Sequence, residues 1–213
     1  MPLAQVLLID DDSFTRSTLS AAINGAGMQV VAAVDNASDA INALVNSNPD
    51  VAVVDLDLGS GPSGIDICHA LRKQNPKIGL ILLTSYTDPR IHDPANLRLP
   101  KGCRFLTKNE LYDFNILFQE IIVAKNKPLK YIFKKNDKEL KLSDIQIQVL
   151  KAVAEGLSTF EIAKNRGVSE KAIEATIAKT NKLLGIKKSK NFNQRVQLAR
   201  SYFILSGKKP PGE

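Results

Sequence analysis

Five short apolar runs organise the first half of this chain: QVLLID (5–10), MQVVAAV (28–34), VAVVD (51–55), IGLILLT (78–84) and CRFLT (103–107). They are rich in β-branched residues and almost unbroken by polar ones, the composition of strands buried on both faces. Segments of helical spacing lie near 13–25, 37–46, 64–74 and 109–125. In the last, Leu111, Phe114, Leu117, Phe118, Ile121 and Ile122 recur at helical intervals. Five β-α units in series predict an α/β domain with a five-stranded, doubly wound parallel sheet. The fourth unit departs from the pattern. SYTDPRIHDPANLRLPKG (85–102) has prolines at 89, 94 and 100, which block a long helix, although Asp93-Pro94 can cap and start a short one.

Beyond residue 125 the pattern changes. NKPLKYIFKKNDKEL (126–140) is lysine-rich and aperiodic and reads as a linker, with a short ordered piece at Tyr131–Phe133. Residues 141–206 show only spacings of three and four. Ser143, Ser158 and Ser169 are placed as helix caps, Gly156 and Gly167 as stops, and a last helix falls near 192–204. A small all-α domain of four helices follows from this, with 207–213 as a disordered tail. Charge divides the same way. Residues 1–125 carry 10 Lys+Arg against 14 Asp+Glu, a net of −4, and residues 126–213 carry 19 against 8, a net of +11. The basic half suits a polyanion such as nucleic acid, or an anionic membrane surface. No stretch approaches the ~20 apolar residues of a membrane span, and the start lacks the basic region of a signal peptide. The sequence reads as a soluble cytoplasmic protein that is not an enzyme and has no membrane partner. Cys68 and Cys103 read as two reduced core thiols, and His69 and His92 as residues without a catalytic role.

In an open parallel sheet, ligands bind beyond the carboxyl ends of the strands. Those ends carry Asp10-Asp11-Asp12, then Asp55 with Asp57 just past it, then Thr84-Ser85, then Thr107-Lys108. If strands one, three, four and five are neighbours, these residues converge. Clustered carboxylates repel one another by roughly 4 kcal/mol per pair at about 4 Å and an effective dielectric near 20, so such a pocket needs a cation or must take up protons. Hard oxygen ligands suit Mg²⁺. A carboxylate beside that ion can attack a phosphoryl group, with a lysine and a hydroxyl on the phosphoryl oxygens.

LLIDDD, PDVAVVDLDLG, LILLTS and FLTK, in this order at successive strand ends, closely resemble the receiver domain of bacterial response regulators over about residues 4–125. The resemblance implies a flavodoxin-like fold and a domain spanning 1–125. It also implies that Asp55 is the phosphoryl acceptor, fed by a sensor histidine kinase. Asp11 would be the direct Mg²⁺ ligand, Asp10 would act through water, Asp55 would bind through its carboxylate, and Asp57 would lend its backbone carbonyl. Thr84 becomes the switch hydroxyl, Lys108 the partner of the phosphate, and Phe105 the aromatic that reports phosphorylation. Two departures stand out: Gly59 where the family usually has proline, and the proline-rich fourth unit, normally part of the switching face. Competing readings are a receiver-like fold that switches without phosphorylation and a haloacid-dehalogenase-type phosphatase. The order of the acids disfavours the phosphatase.

LSTFEIAKNRGVSEKAI (157–173) has a helix-turn-helix pattern, and 140–205 resembles the four-helix DNA-binding domain of LuxR-type regulators. Joined to a receiver, that is the NarL/FixJ group. The resemblance implies a supporting helix near 158–165, a recognition helix from Ser169 to about Leu184, duplex DNA as partner, and a homodimer in the active state. With Ile173, Ile177 and Leu184 facing the core, the exposed face offers Lys171, Glu174, Ala175, Ala178, Lys179 and Lys182. Glu174 and the two alanines depart from the usual basic readers, so a helical module used for protein contacts remains the alternative for this half.

Overall fold

The computed structural model describes residues 1–59, 61–86, 91, 99–130 and 142–207. The expected disruption of the fourth unit at 89 and 94, the Asp93-Pro94 cap, His92, the Tyr131–Phe133 piece and the tail from 208 lie outside these. The chain divides into two units, Met1–Thr84 with Arg98–Lys134, and Ser85–Leu97 with Lys135–Glu213.

In the first unit, β1 (Gln5–Ile9), β2 (Gln29–Val34), β3 (Val51–Asp55), β4 (Gly79–Thr84) and β5 (Arg104–Thr107) form one parallel sheet in the order β2-β1-β3-β4-β5. Side chains alternate across it. Val6, Leu8, Val51, Val53, Ile81, Leu83 and Leu106 form one core layer with Leu19 and Ile23 of α1 (Ser13–Gly25) and Leu117, Ile121 and Ala124 of α4 (Phe114–Asn126). On the other face pack α2 (Ala37–Ser47) and α3 (Gly64–Gln74). The central strands β3 and β4 are buried at every residue, as their composition requires. β2 is not: its apolar run lies at the sheet edge and is half-exposed along its length.

The single helix expected over 109–125 is two elements. A 3-10 helix (Lys108–Tyr112) ends at Asp113, and α4 begins beyond it. The physical reason is Asp113 itself. Its carboxylate accepts the Asn115 backbone N–H at 2.9 Å, a capping bond that competes with continuous helix. The apolar spacing runs through the break, because both pieces pack the same layer.

In the second unit, α5 (Asp144–Ala154), α6 (Thr159–Arg166), α7 (Glu170–Leu183) and α8 (Gln194–Leu205) pack around Ile147, Leu150, Val153, Ile162, Ile173 and Leu198. Ser143, Ser158 and Ser169 each accept a backbone N–H three residues on, as their positions predict. Gly167 ends α6 in the left-handed region at φ 62°, which makes the tight turn into α7. None of the described helices is long and apolar enough to cross a membrane.

Candidate functional site

The sheet order makes β1, β3, β4 and β5 neighbours, and their carboxyl ends meet. Asp10, Asp11 and Asp55 each present a carboxylate oxygen within 4.8 Å of the others. Lys108 Nζ donates to Asp10 Oδ2 at 2.8 Å and lies 3.2 Å from Asp55 Oδ2. Asp10 and Asp55 are buried, Asp11 is exposed, and Thr84 is fully buried with its backbone paired to Thr107. Asp57 is half-buried two residues past β3, and Phe105 is half-buried on β5 opposite Leu82.

Two features aim these groups. Arg16 donates to the Asp10 carbonyl at 2.6 Å and lies 3.8 Å from Asp35, bracing the end of β1. At the other side, the α3 N-terminus runs hard against the end of β3: a Cβ on Gly64 would stand 2.0 Å from the Asp55 carbonyl oxygen. Only glycine lets the chain return so closely after the 56–63 loop.

Burial pushes the Asp55 carboxyl up to about 7, and the Asp10 charge pushes the same way, while Lys108 pulls it down. Burial works against the Lys108 ammonium, yet its bonds and charge contacts with Asp10 and Asp55 hold it above the usual lysine value. The pocket is therefore short of positive charge even with its lysine in place. Three carboxylate oxygens, one of them on an exposed residue, make a hard oxygen donor set that fits a small divalent cation such as Mg²⁺.

In the second unit, Lys171, Glu174, Ala175, Ala178, Lys179 and Lys182 are all exposed on α7. A cleft of about 600 Å³ borders this face, where Glu174, Ala178 and Lys182 meet Lys187, Lys188 and Arg195.

Residues 6–108 match the family described as response regulator receiver domain, and residues 140–200 match the bacterial regulatory proteins of the luxR family. The chain belongs to the response regulators that join a receiver to a LuxR-type DNA-binding domain. Among its relatives is the DNA-binding transcriptional activator DevR/DosR of Mycobacterium tuberculosis, 24% identical with 99% of each chain covered. The transcriptional regulatory protein TdiR of Thauera aromatica is 26% identical, with 97% of this chain and 92% of the relative covered. Among solved structures, RcsB of Salmonella enterica serovar Typhimurium, bound to promoter rprA with a phosphomimetic, shares the fold. It aligns with a TM-score of 0.54 at 21% identity, over 93% of this chain and 98% of the other.

The receiver thus brings together Asp10, Asp11, Asp55 and Lys108 as the strand-end reading requires, while Asp12 plays a different part. It caps α1, its Oδ2 accepting the Thr15 N–H at 2.9 Å, and the Thr15 side chain holds its carboxyl below the usual range. Sequence reasoning missed Glu110. Its Oε2 accepts the Thr107 N–H at 2.8 Å and the Thr107 hydroxyl at 2.9 Å, closing the turn on which Lys108 is mounted. The signal was present as Thr-Lys-Asn-Glu, a Ser/Thr-x-x-Glu capping box. In the DNA-binding domain it missed Arg195, which donates to Thr159 Oγ1 at 3.3 Å and to the Leu157 carbonyl, tying α8 to the start of α6. It also placed Ile177 and Leu184 in the core, but Ile177 is half-buried. Leu184 too is half-buried, at the end of α7, and the inward turn is filled instead by Thr180, whose hydroxyl donates to the Thr176 carbonyl at 2.8 Å, and Asn181.

Proposed function

We propose that Asp55 takes a phosphoryl group from the phosphohistidine of a sensor kinase and that the phosphorylated receiver controls DNA binding by α7. The meeting of Asp10, Asp11, Asp55 and Lys108 at one end of the sheet is the observation that carries this reading. An Asp55 carboxylate oxygen attacks phosphorus, the bond from phosphorus to the histidine nitrogen breaks, and the imidazole leaves. The carboxylates of Asp10, Asp11 and Asp55 with the Asp57 carbonyl would hold Mg²⁺, which supplies positive charge for the carboxylates and the phosphoryl oxygens. Lys108 holds an ammonium at the same place, and the buried Thr84 hydroxyl donates to a phosphoryl oxygen. The aspartyl phosphate brings a charge near −2, and Thr84 and Phe105 on adjoining strands pass that change to the domain surface. The working site is the cytoplasm and the active form a homodimer, whose two α7 helices would match half-sites about one DNA turn apart.

The deciding experiment is incubation with acetyl phosphate and Mg²⁺. Intact-mass measurement will show one added phosphoryl group on the native chain and none on Asp55→Ala. Repeated turnover of a phosphomonoester, with no stable adduct, would instead make the pocket a phosphatase.

For the DNA-binding half, affinity for duplex DNA will fall steeply with salt, with a slope near 0.9 per phosphate contact. Lys179→Ala and Lys182→Ala will each weaken binding to all sequences alike and lower the slope by about 1. Exposed Glu174 and the alanines favour one rival, a helical face used for protein contacts. Salt-independent affinity, or no binding at all, would support that rival.

A further inference from the structure

We propose that Glu174 selects a cytosine in the DNA that α7 reads, its carboxylate accepting from the N4 amino group in the major groove. This rests on the reading of α7 as a DNA-binding helix and names one base that it recognises. In a helix-turn-helix the second helix lies in the major groove, and its N-terminal residues meet the base edges. Glu174 is the fifth of the fourteen residues of α7 and is exposed.

The neighbours of Glu174 leave it as the reader of its stretch. Ile173 is buried in the core, and Thr176 is half-buried, its hydroxyl donating to the Ala172 carbonyl at 2.9 Å. Ala175 and Ala178 are exposed and end in methyl groups, so they leave room for a base edge without a hydrogen bond to it. Glu174 itself is unspent: among the described residues it makes no hydrogen bond and no ion pair. Ala178 stands four residues on, where a lysine would pair best with an upstream glutamate. Lys182, Lys187, Lys188 and Arg195 line the cleft beside it, in which Glu174 is the acid among the described residues. Those cations suit the phosphate backbone. A carboxylate carried to the same DNA is repelled by the phosphates and loses water, so it is tolerated only where a base supplies a donor.

The base edges decide which one. Guanine presents the N7 and O6 acceptors in the major groove, and thymine presents the O4 acceptor and a methyl group; both reject a carboxylate. Adenine offers its N6 amino group but sets the N7 acceptor beside it. Cytosine offers its N4 amino group with no acceptor of its own ring at that edge. Glu174 therefore acts as a filter as well as a contact, since on any other base it stays desolvated and unpaired.

The test is selection of duplexes from a randomised library by the full-length protein, followed by affinities for single-base variants of the selected site at two salt concentrations. The expected site holds a cytosine whose replacement by any other base weakens binding about tenfold. Glu174→Ala will lose discrimination at that position alone and will bind non-cognate duplexes at least as tightly as the native protein. Glu174→Gln will move the preference there to adenine, because a carboxamide both accepts from N6 and donates to N7. Both substitutions fall on an exposed helical position, and unchanged thermal unfolding will show that the domain is intact. A Glu174→Ala protein that binds every duplex more tightly, with its base preferences unchanged, would overturn the proposal. The acid would then only repel phosphate, while the DNA-binding reading stands. Native protein whose duplex binding is absent or independent of salt would overturn both and leave α7 as a protein-contact helix.

Discussion

Asp55→Asn will stabilise the receiver at pH 8 in the absence of divalent ions and far less at pH 4. In the folded chain burial pushes the Asp55 carboxyl up from 3.8 to about 7. A raised carboxyl binds its proton more tightly in the folded state than in the unfolded state. Well below pH 3.8 both states are protonated and Asp55 carries no penalty. Between pH 4 and pH 7 the unfolded state gives up the proton first, so the contribution is lost progressively; above pH 7 the penalty is constant. A shift of about three units at 1.36 kcal/mol each sets an upper bound near 4 kcal/mol, and partial wetting of the pocket brings the expected gain to about 2–4 kcal/mol. Asparagine keeps the shape and removes the charge that opposes Asp10. Denaturant unfolding of both proteins in chelator, at pH 4 and pH 8, measures it. An equal gain at both pH values would mean that packing, not charge, is responsible. Added Mg²⁺ should reverse the order, stabilising the native protein far more than the variant.

Much of this was legible in the sequence because buried parallel strands leave an unmistakable trace. VAVVD and IGLILLT have no polar face, so they had to be central, and their acidic and hydroxylic ends had to lie together. What was illegible depends on competition between equally local signals. MQVVAAV has the same composition as the central strands, yet sits at the edge, because strand order is a property of the whole sheet. Asp113 interrupts an apolar repeat that runs on regardless, and only its capping bond decides the break. Asp12 stands in the acidic triplet at the end of β1 but is a helix cap, a role open to any Asp before a Ser-Phe-Thr start. In α7, Thr180 and Asn181 fill a turn that hydrophobic spacing assigns to Leu184; the Thr180 hydroxyl is bonded to its own helix, while the buried Asn181 Oδ1 has no hydrogen-bond partner among the described residues.

Gly64→Ala will damage both the fold and the site, and by more than its one methyl group suggests. The added Cβ would lie 2.0 Å from the Asp55 carbonyl oxygen, 2.8 Å from its carbon and 2.9 Å from the Leu56 Cα. All three are backbone atoms at the end of a fully buried strand, so no rotamer change can relieve the clash. The α3 N-terminus must move instead, breaking the Gly64 N–H bond to the Leu56 carbonyl, 3.0 Å in the native chain. Overpacking of this kind destabilises by about 3 kcal/mol. Gly25, at the end of α1, has nothing within 4 Å of its Cβ position and no positive φ, so Gly25→Ala should be neutral or stabilising by about 0.5–1 kcal/mol. Denaturant midpoints of the two variants give the contrast. The site follows from the same geometry. Asp57 and Gly59 ride on the loop that Gly64 ends, and a Cβ on Gly59 would stand 3.5 Å from Asp11 Oδ2. A shift of about 1 Å in that loop misplaces the Asp57 carbonyl against Asp55 and should slow phosphoryl uptake from acetyl phosphate up to ~100-fold. Full uptake in a destabilised Gly64→Ala protein would show that the 56–63 loop has no part in holding the metal or the phosphoryl group.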